Sequence, residues 1–173
     1  SNAHNKDAHE KLFKLLVQSW RKNWKNEDMP FYYVQLSSLN RPSWPWFRDS
    51  QRRLMEEIPH TGMAVCTDKG DSLDVHPIQK QEVGERLAAW ALNKTYLKER
   101  IVPSGPLYRS VEFKKNVAYV SFDYAEGMKA AEEGVELKTF EMAGEDQMFY
   151  PAQAIVEGNR VKVWSDKVKE PKV

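Results

Sequence analysis
Apolar positions in the first hundred residues recur at helical spacing, then in short compact runs, and the two patterns alternate. Leu12, Phe13, Leu16, Val17, Trp20 and Trp24 predict an amphipathic helix over about 8–25 with these residues as its apolar face. Pro30 then opens Phe31-Tyr32-Tyr33-Val34-Gln35-Leu36, apolar on both faces, which suits a strand buried between two helical layers. A loop rich in Ser, Asn, Pro and Trp follows over 37–45. The next helix is expected over about 46–57, with Pro45 near its first turn and Phe47, Leu54 and Ile58 on one face. Gly62-Met63-Ala64-Val65-Cys66-Thr67 reads as a second buried strand. A polar loop, 68–76, leads from it to a helix that Pro77 opens and that runs to about Tyr96, with Val83, Leu87, Trp90 and Ala91 inward. Two successive strand–helix units predict part of a parallel α/β sheet. Two strands fall short of the usual sheet of about four to six, so this part is expected to be incomplete.

From about Ile101 the pattern changes. Pro103, Gly105 and Pro106 punctuate a linker, and short β patterns follow. Val117–Phe122 is expected as a strand after a turn at 114–116, and Leu137–Met142 as another, ending in the polar turn 143–146. Ala152–Val156 and Val161–Ser165 flank Glu157-Gly158-Asn159-Arg160, a two-residue hairpin turn. Strands at this spacing indicate a small sandwich. The expected division is residues 4–100 for the α/β part and 101–173 for the β part.

Composition adds bounds. The 173 residues are 41% hydrophobic and 29% charged, an ordinary globular balance. Lys and Arg number 26 against 25 Asp and Glu, a formal net charge of +1, which argues against nucleic-acid or anionic-membrane surfaces built on clustered cations. No apolar run is long enough for a spanning helix. The single cysteine, Cys66, lies in an apolar run and reads as a buried hydrophobe. Ser1-Asn2-Ala3 reads as an expression-tag remnant.

The loop from Asp68 to Pro77 concentrates the candidate chemistry. It carries three carboxylates and His76 within ten residues, outside the carboxyl end of a predicted strand, where open α/β sheets bind ligands. His76 is expected at a helix N-terminus, whose dipole disfavours imidazolium and so keeps the neutral ring a general base needs. On spacing alone, such a loop is more often a solvated turn with an N-cap than a catalytic site. The other histidines, His4, His9 and His60, supply no metal-ligand spacing, so no metal and no cofactor is implied. In Asn40-Arg41-Pro42-Ser43-Trp44-Pro45-Trp46, the indoles of Trp44 and Trp46 could stack on a sugar, with Arg48 steadying a carboxylate. The bland reading is that the tryptophans pin the loop to the helices and Arg48 makes a surface ion pair.

Thr61-Gly62-Met63-Ala64-Val65, Asp68, Gly70-Asp71, Asp74-Val75-His76-Pro77, Lys80 and Val83-Gly84-Glu85-Arg86-Leu87-Ala88 together resemble the last conserved block of the sialate O-acetylesterases, of the SGNH hydrolase superfamily. Pro30-Phe31, Val34-Gln35-Leu36, Trp46, Arg48 and Gln51 extend the resemblance upstream. Ser104-Gly105-Pro106-Leu107-Tyr108 and 137–146 extend it into the accessory β region. The resemblance implies the C-terminal portion of an SGNH-type three-layer parallel-sheet domain followed by a small, truncated all-β sandwich. It implies Ser-His(-Asp) hydrolysis of acetyl esters on sugars such as sialic acid, with His76 as base, and an exported, periplasmic or secreted, protein.

Two departures stand out. The superfamily's Asp three residues before the histidine is Leu73 here, so Asp74, two residues before, is the leading candidate to orient His76, with Asp71, Asp68 or a backbone carbonyl as alternatives. No Gly-x-Ser-Asn motif occurs, and Ser37, Ser38, Ser43 and Ser50 lack the strained turn of a nucleophile. The chain alone is therefore expected to be inactive, with its serine coming from a missing N-terminal part of the same enzyme, or to self-associate through exposed apolar edges. The alternative is a non-enzymatic carbohydrate-binding or scaffolding module.

Overall fold
The computed structural model describes residues 5–74, 76–130 and 135–173. Val75 of the histidine loop, the first three residues and His4 lie outside them. The chain divides into two compact units, Ser1–Ser104 and Gly105–Val173, and the division falls inside the Pro103–Pro106 linker.

In the first unit the order is α1 (Lys6–Trp24), β1 (Phe31–Val34), α2 (Trp44–Glu57), β2 (Thr61–Ala64) and α3 (Lys80–Trp90), the last continued by a π-type turn over Ala91–Thr95. Asn5 caps α1, its side chain accepting the Ala8 N–H, which satisfies one of the helix's orphan donors. β1 and β2 run parallel, Phe31 opposite Thr61 and Val34 opposite Ala64. Helices cover both faces of this pair. On one face Val17, Leu54 and Ile58 form a core with Phe13 and Phe31. On the other, Trp90 of α3 lies against Gly62, where a Cβ would stand 2.5 Å from the indole, and its Nε1–H donates to the Met63 carbonyl at 2.9 Å. That glycine is what lets the indole reach the strand.

Three local expectations need correction. The predicted apolar stripe of α1 is buried only in part, at Phe13 and Val17. Val17 and Arg21 are buried, the guanidinium donating to the Met29 and Pro59 carbonyls, whereas Leu12, Leu16, Trp20 and Trp24 stand in solvent. α1 carries two adjacent apolar rows, and the two-stranded sheet has room for one. α3 begins at Lys80, not at Pro77, because Ile78 is 91% exposed and has nothing to pack against. His76 therefore precedes the helix by four residues and does not sit at its N-terminus. Both parallel strands are also shorter than the apolar runs, since Gln35 onward and Val65 onward turn into the strand-end loops.

The second unit is antiparallel: β3 (Leu107–Lys114), β4 (Val117–Asp123), β5 (Phe140–Ala143), β6 (Phe149–Glu157) and β7 (Arg160–Trp164). They form one five-stranded sheet among the described residues, in the order β3-β4-β7-β6-β5. Alternation puts Ala118, Met142, Ala154, Val161 and Val163 into a core completed by Val168. The β6–β7 hairpin turns at Gly158, whose φ of 63° suits glycine in the two-residue loop. β3 had no clear pattern in sequence because only Leu107 is buried along it.

Candidate active site
Both parallel strands point their carboxyl ends at one rim, and the loops leaving them are stitched together there. The Asn40 N–H donates to the Ser72 carbonyl at 2.9 Å, and Ser38 Oγ donates to the Thr67 carbonyl. Gly70 passes so close to Ser38 that a Cβ would lie 2.3 Å from its backbone nitrogen. The tryptophan-bearing loop and the histidine loop are thus held side by side by main chain.

A second set of bonds anchors the histidine loop to α3. Arg86 grips both carboxylate oxygens of Asp68, each at 2.6 Å, and also donates to the Val65 carbonyl. This fork holds the Asp68 carboxyl well below the usual carboxylate range and pushes the guanidinium up in return. Lys69 pairs with Glu82 on α3, and that hydrogen bond raises the ammonium. Beneath them Cys66 is buried, and loss of water pushes its thiol up, which keeps it unreactive. Arg86 had no assigned role in the sequence; a cation three residues from Val83 and four from Trp90, among inward positions, was the available signal.

Beyond this anchor stands His76. Its Nδ1 lies 2.9 Å from Asp74 Oδ1, which also accepts the His76 backbone N–H at 2.9 Å. Those two bonds, the backbone one first, hold the Asp74 carboxyl below its ordinary value. Asp71 is turned to the Leu73 N–H and Asp68 to Arg86, so of the three carboxylates Asp74 is the one on the ring. The pair is open to solvent, His76 86% and Asp74 65% exposed, with Nδ1 occupied and Nε2 on the far side of the ring.

The tryptophans separate. Trp44 is 3% exposed, packs with Phe47, Leu36 and Leu39, and donates from Nε1 to the Ser37 carbonyl at 2.6 Å. Its face is not open to a sugar: it pins the loop, with Arg41 over the ring at 5.6 Å. Trp46, by contrast, is 62% exposed. Arg48 is half-buried, burial lowering its pKa, and its carbonyl accepts from Gln35 Nε2. Among the described residues no cluster of three or more His, Cys, Asp or Glu is placed to hold a metal, and no helix is long and apolar enough to cross a membrane.

No protein-family model matches the chain. It is similar to a sialate O-acetylesterase of Mus musculus, 27% identical over 165 residues, covering 83% of this chain and 30% of that protein. It is also similar to the crystal structure of a carbohydrate acetylesterase from Xanthomonas citri, with a TM-score of 0.84 and 32% identity. The chain is a relative of the sialate O-acetylesterases. The structural match covers 95% of this chain and so takes in residues of both units. It covers 39% of the Xanthomonas protein, so the chain spans well under half the length of either acetylesterase.

Proposed function
We propose that this chain is the C-terminal part of a carbohydrate O-acetylesterase, acting on O-acetylated sugars such as sialic acid, and that it supplies the base of the catalytic site. The observation that carries this is the exposed His76–Asp74 pair on a strand-end loop, with Nε2 facing outward. In this reading the α/β unit belongs to an SGNH-type three-layer domain, and the antiparallel sheet is part of its accessory sandwich.

A serine from outside the chain attacks the acetyl carbonyl carbon while His76 Nε2 takes its hydroxyl proton. Asp74 keeps the proton on Nδ1 and stabilises the imidazolium that forms. Collapse of the tetrahedral intermediate breaks the bond to the sugar oxygen, and that oxygen leaves with the proton from Nε2. Water, deprotonated by the same nitrogen, then cleaves the acetyl-serine to acetate and regenerates the hydroxyl. Trp46 offers a face for the sugar ring and Arg48 a charge for a carboxylate, while Trp44 acts by holding their loop.

The test is hydrolysis of an aryl acetate by the purified chain beside its His76→Ala variant. Equal background rates are expected. Turnover that His76→Ala abolishes would place a nucleophile within this chain and overturn the shared-site reading. A non-enzymatic carbohydrate module would instead bind sugar with an affinity indifferent to His76→Ala.

A further inference from the structure
The placement of His76 traces to one face of α3. Glu82, Arg86 and Trp90 are spaced by four residues, so they form a single row along the helix. Each member of the row meets a successive point of the chain around and beyond β2. Trp90 lies on Gly62 and donates to the Met63 carbonyl. Arg86, one turn earlier, donates to the Val65 carbonyl at 2.5 Å and forks both oxygens of Asp68. Glu82, one turn earlier again, pairs with Lys69. The row follows strand, strand end and loop in order, and Arg86 is the member that joins the strand end to the loop.

Where the row ends, the neighbouring loop takes over. Gly70 packs on Ser38 with no room for a Cβ, which would stand 2.3 Å from the Ser38 nitrogen and 2.5 Å from its carbonyl oxygen. The Ser72 carbonyl accepts the Asn40 N–H. Beyond Ser72 the bonds turn local. The Leu73 N–H donates to Asp71, the backbone and ring of His76 bond to Asp74, and the Lys80 N–H donates to the Ile78 carbonyl. Leu73 and Ile78, on either side of the pair, stand almost wholly in water.

Two sets of contacts therefore govern two properties. How the ring is held is decided between Asp74 and His76 themselves. Where the ring stands is decided over 65–72, by bonds that involve neither residue.

We propose that Arg86 is a positioning residue for His76: its fork fixes the take-off of the histidine loop, and the Gly70–Ser38 contact fixes the loop's course, so that Nε2 is presented at one place on the rim. This rests on the shared-site reading, in which Nε2 must meet a serine hydroxyl and a displacement of about 1 Å can cost on the order of a hundredfold in rate. A lysine would not serve, because one ammonium cannot span both Asp68 oxygens in a planar fork.

The test is NMR relaxation on the isotopically labelled chain, with the ring nitrogen shifts of His76 recorded on the same samples. In the wild type, amides 68–74 are expected at the order of fixed backbone, an order parameter of about 0.85. Arg86→Met should drop them below about 0.6, leave β1 and β2 rigid, and leave the His76 proton on Nδ1. Gly70→Ala, which forces the seam apart without touching α3, should do the same from residue 70 onward. Asp74→Ala should do the reverse, releasing the Nδ1 proton and sparing the order of 68–72. Arg86→Lys should recover less than half of the lost order. A wild-type loop already mobile, or one whose order survives both Arg86→Met and Gly70→Ala, overturns the proposal. So does a lower Tm in Arg86→Met with the loop's order intact, since Arg86 would then hold the fold and not the histidine. Full recovery by Arg86→Lys overturns the fork. Because no hydrolysis is read in these samples, a failed placement leaves the catalytic reading standing, and a failed catalytic reading leaves the placement standing.

Discussion
The two units treat their sheet edges in opposite ways. In the antiparallel unit, edge strand β3 carries Arg109, Glu112 and Lys114. The other edge strand, β5, has four residues, and its Ala143 is bonded to Lys172 and Val173 of the chain's end. Charge, brevity and a covering segment are the usual means of discouraging further pairing. In the parallel unit, the open edge of β1 is flanked by leucines and a tryptophan, and only its far end is closed, by Gln51. The contrast sets an edge blunted by charge and a covering segment against one bordered by exposed apolar side chains, within one chain of ordinary composition.

The largest expected effects separate core from stripe. Met142→Ala, which empties a 2%-exposed site in the antiparallel core, should cost that unit about 2–5 kcal/mol, read as lost amide exchange protection in β4 and β7. Leu16→Ala should change α1 protection by less than about 0.5 kcal/mol in the lone chain. If the two losses were alike, the stripe would already be covered and the contrast would collapse. Next in size, Gly62→Ala drives a methyl into the Trp90 indole and should cost about 1–3 kcal/mol by urea denaturation. A neutral result there would mean that α3 can slide off its strand without penalty.

The smallest effect concerns the anchor of the histidine loop. Asp68 has a folded pKa below its unfolded value of about 4, so its pairing contributes fully above that pH and fades as acid titrates the folded carboxylate. Arg86→Met should therefore lower the Tm at pH 7, and the gap from wild type should narrow below about pH 4. With Asp68 half exposed the contribution is expected to stay under about 1 kcal/mol. A gap unchanged with pH would assign Arg86's contribution to the Val65 carbonyl alone.

How legible this was in the sequence follows from what each pattern encodes. Apolar spacing located α1, α2 and both parallel strands, and the Gly158-Asn159 turn located the β6–β7 hairpin, because each signal is local. Spacing could not say which of two apolar rows on α1 is buried, since that depends on whether a partner exists. β3 escaped notice because an edge strand buries little. At the site, the loop around His76 was visible as a cluster of polar residues at a strand end. Asp74 already led there by its place two residues before the histidine; what spacing could not show is that Asp71 and Asp68 are engaged by other groups. Trp44 and Trp46 look alike in sequence, and only the fold sends one inward and leaves the other in water.

Asp74 and His76 are two residues apart, and a contact over so short a stretch closes almost no loop. The entropy of closure grows with the length of chain enclosed, so this pair draws very little on the rest of the fold for its existence. A short peptide spanning the loop would be expected to visit the same geometry, and partial unfolding of the helices around it would leave it largely in place. The Asp74–His76 contact is thus a property of its own few residues more than of the fold that carries them.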